Sequence, residues 1–399
     1  MSSTLPDDIA NCVLAAFEAL PPKFKPRERA QGKREWVPLS GIVLSSELEP
    51  LTCVALATGM KCLPRDKMQM ANGTTLHDWH AEVLTIRAFN RFLIDECLNV
   101  ADGNSSPWIM RSPDAELQPF TIKDDIRIHM YCSECPCGDA SMELIMNEQE
   151  DATPWTYLSP VVPEETNVIP LHGRGYFSEL GIVRTKPSRP DAPVTLSKSC
   201  TDKLALKQCT SLLNSIASLL IAPRQAYLNS LVIPESQYVP TAIERAFGLN
   251  GRMKSITPQI TCEWTEAYGY KPFNVITTSR EFQFSKRAAC PGNDRIASNL
   301  SAVWTPYFEE VLIGGVQQGR KQFDSIGGSR TCRKSLWKAV VNVLDKAEEV
   351  PHFEAKAEMN YANAKANSAL DCRRKVKEDV RRYVLKGWAR NAGDDSFGL

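Results

Sequence analysis

Apolar residues Ile9, Val13, Leu14, Phe17 and Leu20 recur at helical spacing behind Asp7 and Asp8, either of which can cap the helix, and Pro21-Pro22 stops it. Residues 36–44 and 52–57 then read as strands separated by a turn-like stretch, 45–50, which predicts the opening hairpin of an α/β layer. Asp78 is placed to cap a long helix that carries Val83, Leu84, Ile86, Phe89, Leu93 and Ile94 towards a core. Residues 99–121 show no period and read as loop. Residues 126–131 predict a strand that enters the turn 132–138, followed by a helix over 139–147.

The second half is looser. Residues 148–170 and 184–198 are Pro-rich and polar, hence long loops, whereas 203–220 is helical again through Leu204, Leu212, Leu213, Ile216 and Leu220. Beyond Pro234 the pattern predicts a helix over 239–247, strands at 256–264, 274–278 and 303–304, and helices over 335–347 and 353–385. Strands mixed with helices and no internal repeat predict an α/β protein.

A chain of 399 residues with 43% hydrophobic and 24% charged residues can bury a large core unaided. Net charge is zero, but residues 330–390 hold fifteen Lys or Arg against eight Asp or Glu, so the C-terminal region is basic and the remainder acidic. Those cations have a regional task, at the surface or around an internal anion. No apolar run approaches the roughly 20 residues that span a bilayer, and no leader-like segment opens the chain. Thirteen cysteines in such a protein are expected as thiols in a reducing compartment.

Two short motifs carry chemistry. His80-Ala81-Glu82 opens the helix after Asp78, and Pro136-Cys137 sits where a strand turns into a helix. In zinc deaminases one His and two Cys hold the metal while a Glu two residues beyond the His stays unliganded and moves protons. Here only one imidazole and one thiolate are local, and a catalytic zinc usually has three protein ligands. The position three residues after Cys137, where the generic signature has its second cysteine, is Ala140. Cys132-Ser-Glu-Cys135 has the spacing of half a structural zinc site, but no second such pair accompanies it, and packed thiols are an ordinary outcome. Cys200, just before a helical segment, has a context like that of Cys137, although composition does not select it.

His80-Ala-Glu82, Pro136-Cys-Gly-Asp139 and Ser199-Cys-Thr-Asp-Lys203, with flanking Thr58-Gly-Met-Lys-Cys62, Arg184-Thr-Lys-Pro187 and the Trp388 region, resemble the deaminase domain of the RNA adenosine deaminases, both duplex-specific and tRNA-specific. The resemblance covers nearly the whole chain. It implies a single adenosine-to-inosine deaminase domain over 1–399, with a zinc core at about 50–220 and an inositol-phosphate-binding region at about 320–399. It implies a cytidine-deaminase-like mixed β-sheet with helices on both faces, enlarged by a C-terminal helical region enclosing inositol hexakisphosphate. It assigns Zn²⁺ to His80, Cys137 and Cys200, and proton transfer to Glu82.

By the same resemblance Arg87, Lys203 and Lys207 match phosphate contacts, although Leu206 stands where some relatives carry a cation. Arg333 or Lys334, Tyr361, Lys365, Trp388 and Asp395 match the rest, while Lys356 is shifted by one residue and Arg390 replaces an acidic group. A polyphosphate inside protein requires many surrounding cations, and those cations repel one another without it. Arg373, Arg374, Lys375, Lys377, Arg381 and Arg382 are expected on a solvated or RNA-facing helix surface instead.

Because the resemblance begins within about the first 60 residues, no room is expected for separate duplex-RNA-binding modules. The tRNA branch of the family is therefore implied, acting on adenosine 37 beside the anticodon of alanine tRNA. Base extrusion from such a loop costs less than from a duplex. Lys186 and Arg189 are expected to bind RNA backbone or fill the place of the flipped base, with Thr58 and Lys61 at the pocket edge. The implied protein is an intracellular monomer of nucleus or cytoplasm, with no membrane association and no obligate protein partner. The rival readings are a duplex-RNA deaminase and a non-catalytic RNA-binding scaffold, and Glu82 argues against the latter because a structural zinc needs no unliganded carboxylate.

Overall fold

The computed structural model describes residues 4–28, 33–113, 117–148, 171–173, 179–187, 192–265, 267–288, 295–347 and 360–399. Its centre is an eight-stranded mixed sheet in the order β10-β9-β6-β2-β3-β12-β13-β14. The hairpin expected near the start is present as β2 (Leu39–Ser45) and β3 (Thr52–Thr58), paired antiparallel. β6 (Arg127–Cys132) pairs antiparallel with β2, and β9 (Ser230–Pro234) and β10 (Asn274–Thr278) extend that side in parallel. On the other side β3 meets β12 (Leu300–Thr305), which folds back as β13 (Phe308–Ile313) and β14 (Val316–Gln317).

Alternation along β2 and β3, interrupted by a bulge at Val54 opposite Ile42 and Val43, sorts side chains between two layers, because successive residues of a strand point to opposite faces. Leu39, Val43 and Leu56 join Ile9, Val13 and Phe17 of α1 (Leu5–Glu18) in one cluster, whereas Ile42, Leu44, Val54 and Ala57 face Leu84, Ala88 and Phe89 of α2 (Ala81–Ala101). Gly41 permits the α1 layer to sit close, since a Cβ there would lie 2.4 Å from a Val13 methyl carbon. Helices thus cover both faces, as expected.

Several details differ from the pattern reading. α1 begins at Leu5, so Asp7 is in its first turn and accepts from the hydroxyl of Thr278 at 2.5 Å instead of capping. Residues 99–121 are not all loop: α2 runs to Ala101, and β4 (Ile109–Arg111) pairs with β5 (Phe120–Ile122). The strand expected over 256–264 is absent. Pro258, lacking an N–H, starts the short helix α6 (Pro258–Thr261) in its place. Two further ribbons pair β1 (Arg34–Trp36) with β11 (Arg295–Ala297) and β7 (Leu171–His172) with β8 (Arg184–Thr185).

The remaining helices are α3 (Met142–Asn147), α4 (Cys200–Thr210), α5 (Pro240–Phe247), α7 (Arg333–Lys346), α8 (Tyr361–Ala366) and α9 (Asp371–Tyr383). Residues 149–170, 188–191 and 348–359, on which the loop 148–170, Arg189, Lys356 and the start of the last helix fall, lie outside the described residues. Among the described residues no helix is long and apolar enough to cross a membrane. One core cluster draws on residues from Ile42 to Phe397.

Candidate active site

Three chain segments meet in one electrostatic environment. His80 is the residue preceding α2, with Glu82 in the first turn of that helix; Cys137 follows β6; Cys200 opens α4. The two cysteine segments interlock. The backbone N–H of Cys200 donates to Cys137 Sγ at 3.4 Å, and Thr201 donates its backbone N–H to the Cys137 carbonyl at 3.0 Å. Gly138 adopts φ +112°, a left-handed conformation that glycine tolerates, and any Cβ there would lie 2.3 Å from Ser199 Oγ. Ser199 caps α4 by accepting from the Asp202 N–H at 3.1 Å.

Asp78 does not cap α2. Its Oδ1 accepts from the His80 N–H at 3.0 Å and lies 2.9 Å from His80 Nδ1, while Oδ2 accepts from Lys186 Nζ at 2.9 Å and also from Lys203 and Ser197. Lys186 Nζ donates onward to Cys200 Sγ at 3.3 Å. Lys203, Asp78, Lys186 and Cys200 therefore form a continuous polar chain.

The electrostatics suit a cation. A hydrogen bond from Cys200 holds the Cys137 thiol well below its ordinary value against burial, and Lys186 and His80 help. Burial and the neighbouring Cys137 push Cys200 up. For His80, burial and Lys186 oppose protonation, but Cys62 and Asp78 outweigh them and raise the imidazole to about 10. Burial and then Cys137 raise the Glu82 carboxyl. No other residue among those described donates a hydrogen bond to that carboxyl, which is 6% exposed.

Cys62, Asp78 and His80 also bring ligand atoms within 4.8 Å of one another and can hold a metal. That set uses Nδ1, 3.5 Å from Cys62 Sγ. Its weakness is Asp78, whose oxygens already serve two ammonium groups that would repel an added cation. Asp78 instead fixes the imidazole through Nδ1, the usual arrangement behind a metal-binding histidine. Cys132 and Cys135 are packed thiols: Cys132 contacts Ser40 Oγ at 3.3 Å, Cys135 donates to the Ala140 carbonyl at 3.2 Å, and burial raises both.

A second cluster lies along the same helix, with the opposite sign. Lys203 and Lys207 are the third and seventh residues after Cys200, on one face of α4. Burial holds Lys207 well below its ordinary value, with Arg373 and Lys377 repelling it, and Lys377 is lowered likewise by burial and then by Arg381, Arg373, Lys365 and Arg333. Lys198, under Trp388 at 5.3 Å from the ring centroid, is lowered by burial, Lys203 and Arg381. Arg87 donates to the Thr331 carbonyl at 2.8 Å and adjoins Tyr361 and Arg333, while Lys365 lies over the Tyr361 ring near Asp395. Of the pair Arg333 and Lys334, Arg333 lies within the electrostatic reach of Arg87, Lys365 and Lys377. The expectation of a solvated surface is overturned for Arg373, while Lys377 and Arg381 are half-buried. Arg373 is 5% exposed and donates to the Leu213 carbonyl at 2.6 Å.

An adenosine-deaminase (editase) domain model matches residues 55–392. The chain belongs to that family. This editase is 37% identical over 394 residues to the tRNA-specific adenosine deaminase 1 of Schizosaccharomyces pombe, spanning 97% of this chain and 95% of that protein. Its counterpart by name in Saccharomyces cerevisiae is 32% identical over 241 residues, 58% of each chain. The double-stranded RNA-specific editase Adar of Drosophila melanogaster is 26% identical over 309 residues, 73% of this chain and 40% of that one.

Within the editase, the expected RNA-facing residues part company. Lys61 is exposed and bonded to Asn299. Thr58 is fully buried at the end of β3, its hydroxyl accepting the Ala302 N–H at 2.8 Å, so it shapes the sheet and not an open rim. Lys186 is 4% exposed and paired with Asp78 and Cys200; it is not placed to grip RNA backbone. Sequence reasoning missed Asp78 as the hub, together with Lys198, Arg373, Lys377 and Arg381. Their signal was present only as charge in segments that read as loop or helix surface.

Proposed function

We propose that this editase hydrolyses the 6-amino group of adenosine in tRNA, releasing inosine and ammonia, with adenosine 37 next to the anticodon of alanine tRNA as its target. The observation that carries the reading is the interlock of Cys137 with Cys200, from separate segments, within the electrostatic reach of His80 and Glu82. Similarity along nearly the full length of a tRNA-specific relative favours tRNA over duplex RNA. The chain acts as one deaminase unit over 1–399, in nucleus or cytoplasm. Its zinc core lies at about 50–220 and its anion-binding region at about 320–399, and a shared core cluster favours treating them together.

His80, Cys137 and Cys200 would hold Zn²⁺. The donor set fits, because one imidazole with Nδ1 engaged and two thiols at close approach leave the fourth position open. Bound there, zinc supplies water acidified towards neutral pH. Glu82, its carboxyl raised by burial, would take one proton from the water that adds at C6 and give it to N1, then take the remaining hydroxyl proton and give it to the departing amine. Lys186 balances the thiolate charge of Cys200, and Asp78 holds both Lys186 and the imidazole. Lys61 and Arg189 are proposed to meet RNA.

The interior cations favour one compact polyanion, for which inositol hexakisphosphate is the proposed occupant. Arg87, Lys203, Lys207, Arg333 and Lys365 would neutralise it, with Tyr361 and Trp388 as hydrogen-bond donors and Asp395 orienting Lys365. Arg373, Lys377 and Arg381 join this set on the evidence of their burial and mutual repulsion. The anion would thereby steady Lys203, and through Asp78 and Lys186 the metal ligand Cys200.

Incubation with individual purified tRNAs, followed by mapping of inosine, tests the proposal. Inosine at the anticodon-adjacent position of alanine tRNA is expected. Preference for a long duplex RNA would reject the tRNA assignment, and absence of inosine from every RNA would reject the chemistry.

A further inference from the structure

Each cysteine proposed to bind zinc is followed two residues later by an aspartate with no solvent exposure: Asp139 after Cys137, and Asp202 after Cys200. Burying two carboxylates beside two thiols and Glu82 is costly unless each meets a cation. Asp139 Oδ2 accepts from Arg245 Nε at 3.1 Å, and the same guanidinium donates to the Asp139 carbonyl at 2.9 Å and to both oxygens of Glu143 at 2.5 and 2.9 Å. Asp202 Oδ1 accepts from Arg252 Nη1 at 2.6 Å, and Arg252 Nε donates to the Ala246 carbonyl at 2.7 Å.

The opposite oxygens are also engaged. Asp139 Oδ1 accepts the Gly181 N–H at 2.7 Å, and Asp202 Oδ2 accepts the Arg184 N–H at 3.0 Å and the Ser199 hydroxyl at 2.6 Å. Both guanidinium groups come from a single short segment. Arg245 lies on α5, and Arg252 begins the 3-10 turn Arg252–Ser255 immediately after it. Ala242, Ile243, Ala246 and Phe247 of α5 are buried, which anchors the segment against the core.

We infer that Arg245 and Arg252 are positioning residues: held on one anchored segment, they grip Asp139 and Asp202 and so fix the spacing of Cys137 and Cys200. Neither touches substrate or metal. They act on the two turns that present the thiols, in the way that groups behind metal ligands set ligand geometry. Arginine suits the task because its planar fork makes several bonds at once, so that Arg245 spans Asp139 and Glu143 while Arg252 spans Asp202 and Ala246. Lysine would keep the charge and lose the fork.

This inference rests on the zinc reading of the site. The test uses the full-length zinc-loaded protein and compares wild type with Arg252→Ala, Arg252→Lys and Arg245→Ala. Zinc loss to a chelator, the sulfur-to-metal absorption of the cobalt-substituted forms, and kcat and KM on tRNA are measured. Zinc is expected to leave Arg252→Ala and Arg245→Ala about tenfold faster or more, in line with groups behind metal ligands. The cobalt band should shift, and kcat should fall with KM within about twofold of wild type. Arg252→Lys should recover part of each loss.

Should Arg252→Ala fail to fold, Arg245→Ala and the near-isosteric Asp139→Asn carry the same readouts, the Arg245 side chain being 20% exposed. Folded alanine variants with wild-type zinc release and an unshifted cobalt band would overturn the clamp alone. Wild-type protein that holds no zinc in proportion to chain would overturn the metal reading and the clamp with it.

Discussion

The first and last turns of α4 stand in opposite electrostatic settings within one short helix. At Cys200, two cysteines and a raised carboxyl suit a cation; at Lys207, lysines and arginines repel one another and suit an anion. Lys203 lies between, tied through Asp78 and Lys186 back to Cys200. The difference explains why neither cluster is stable chemistry alone: each carries charge that burial makes costly, and each implies a ligand of the other sign. It also makes Asp78 a carboxylate on which both halves depend.

The largest effect should separate chemistry from structure at the thiol end. Glu82→Gln is expected to lower kcat by about 10²- to 10⁴-fold while zinc content and melting temperature stay close to wild type. Zinc analysis beside single-turnover kinetics reads both. Asp78→Ala should damage both halves at once, because it strands Lys186 without its partner; a loss of about 3 kcal/mol or more in denaturant unfolding is expected, with zinc bound less tightly.

Lys207→Met tests the anion end by a change of sign. With polyphosphate present the variant should melt lower than wild type; stripped of it, the variant should melt higher, by about 1 kcal/mol or more, because one repelling charge is gone. The pH response follows from the same lowering. Lys207 and Lys377 titrate below the ordinary lysine value in the fold, so the unfolded chain binds more protons between the depressed values and 10.5. Stability of the anion-free protein therefore rises with pH through that window, and anion binding should flatten the rise. Calorimetry at several pH values with and without inositol hexakisphosphate checks it. The smallest effect belongs to Lys61→Ala, an exposed residue, which should raise KM for tRNA by a few-fold at low salt and less at high salt.

The same contrast accounts for what was legible in the sequence. The metal end is written in contiguous motifs, His80-Ala-Glu82, Pro136-Cys137 and Ser199-Cys200, each at the end of an element whose period is plain, so α2, β2, β3 and β6 could be foreseen with it. The basic interior is assembled from Arg87, Lys198, Arg373, Lys377 and Arg381, far apart in the chain, and a Lys/Arg-rich helix such as α9 has the composition of a solvated surface. Only packing α9 against α4 reveals which of its cations point inward: Arg373 is buried, whereas Lys375 and Arg382 are exposed. Lys186 misled for a related reason. A loop with Lys, Arg and Pro looks like an RNA contact until Asp78, over a hundred residues away in the chain, claims the ammonium. Edge features were lost to shortness, as in β4, β5 and β14, and the supposed strand at 256–264 yielded to Pro258.

The most direct measurement is a joint analysis of one purified, active preparation: zinc by elemental analysis, and acid-extracted inositol phosphate by mass spectrometry, each set against protein concentration. Near one zinc and one inositol hexakisphosphate per chain are predicted, with loss of either lowering inosine formation. A folded preparation, fully active on tRNA and free of both, would contradict the account.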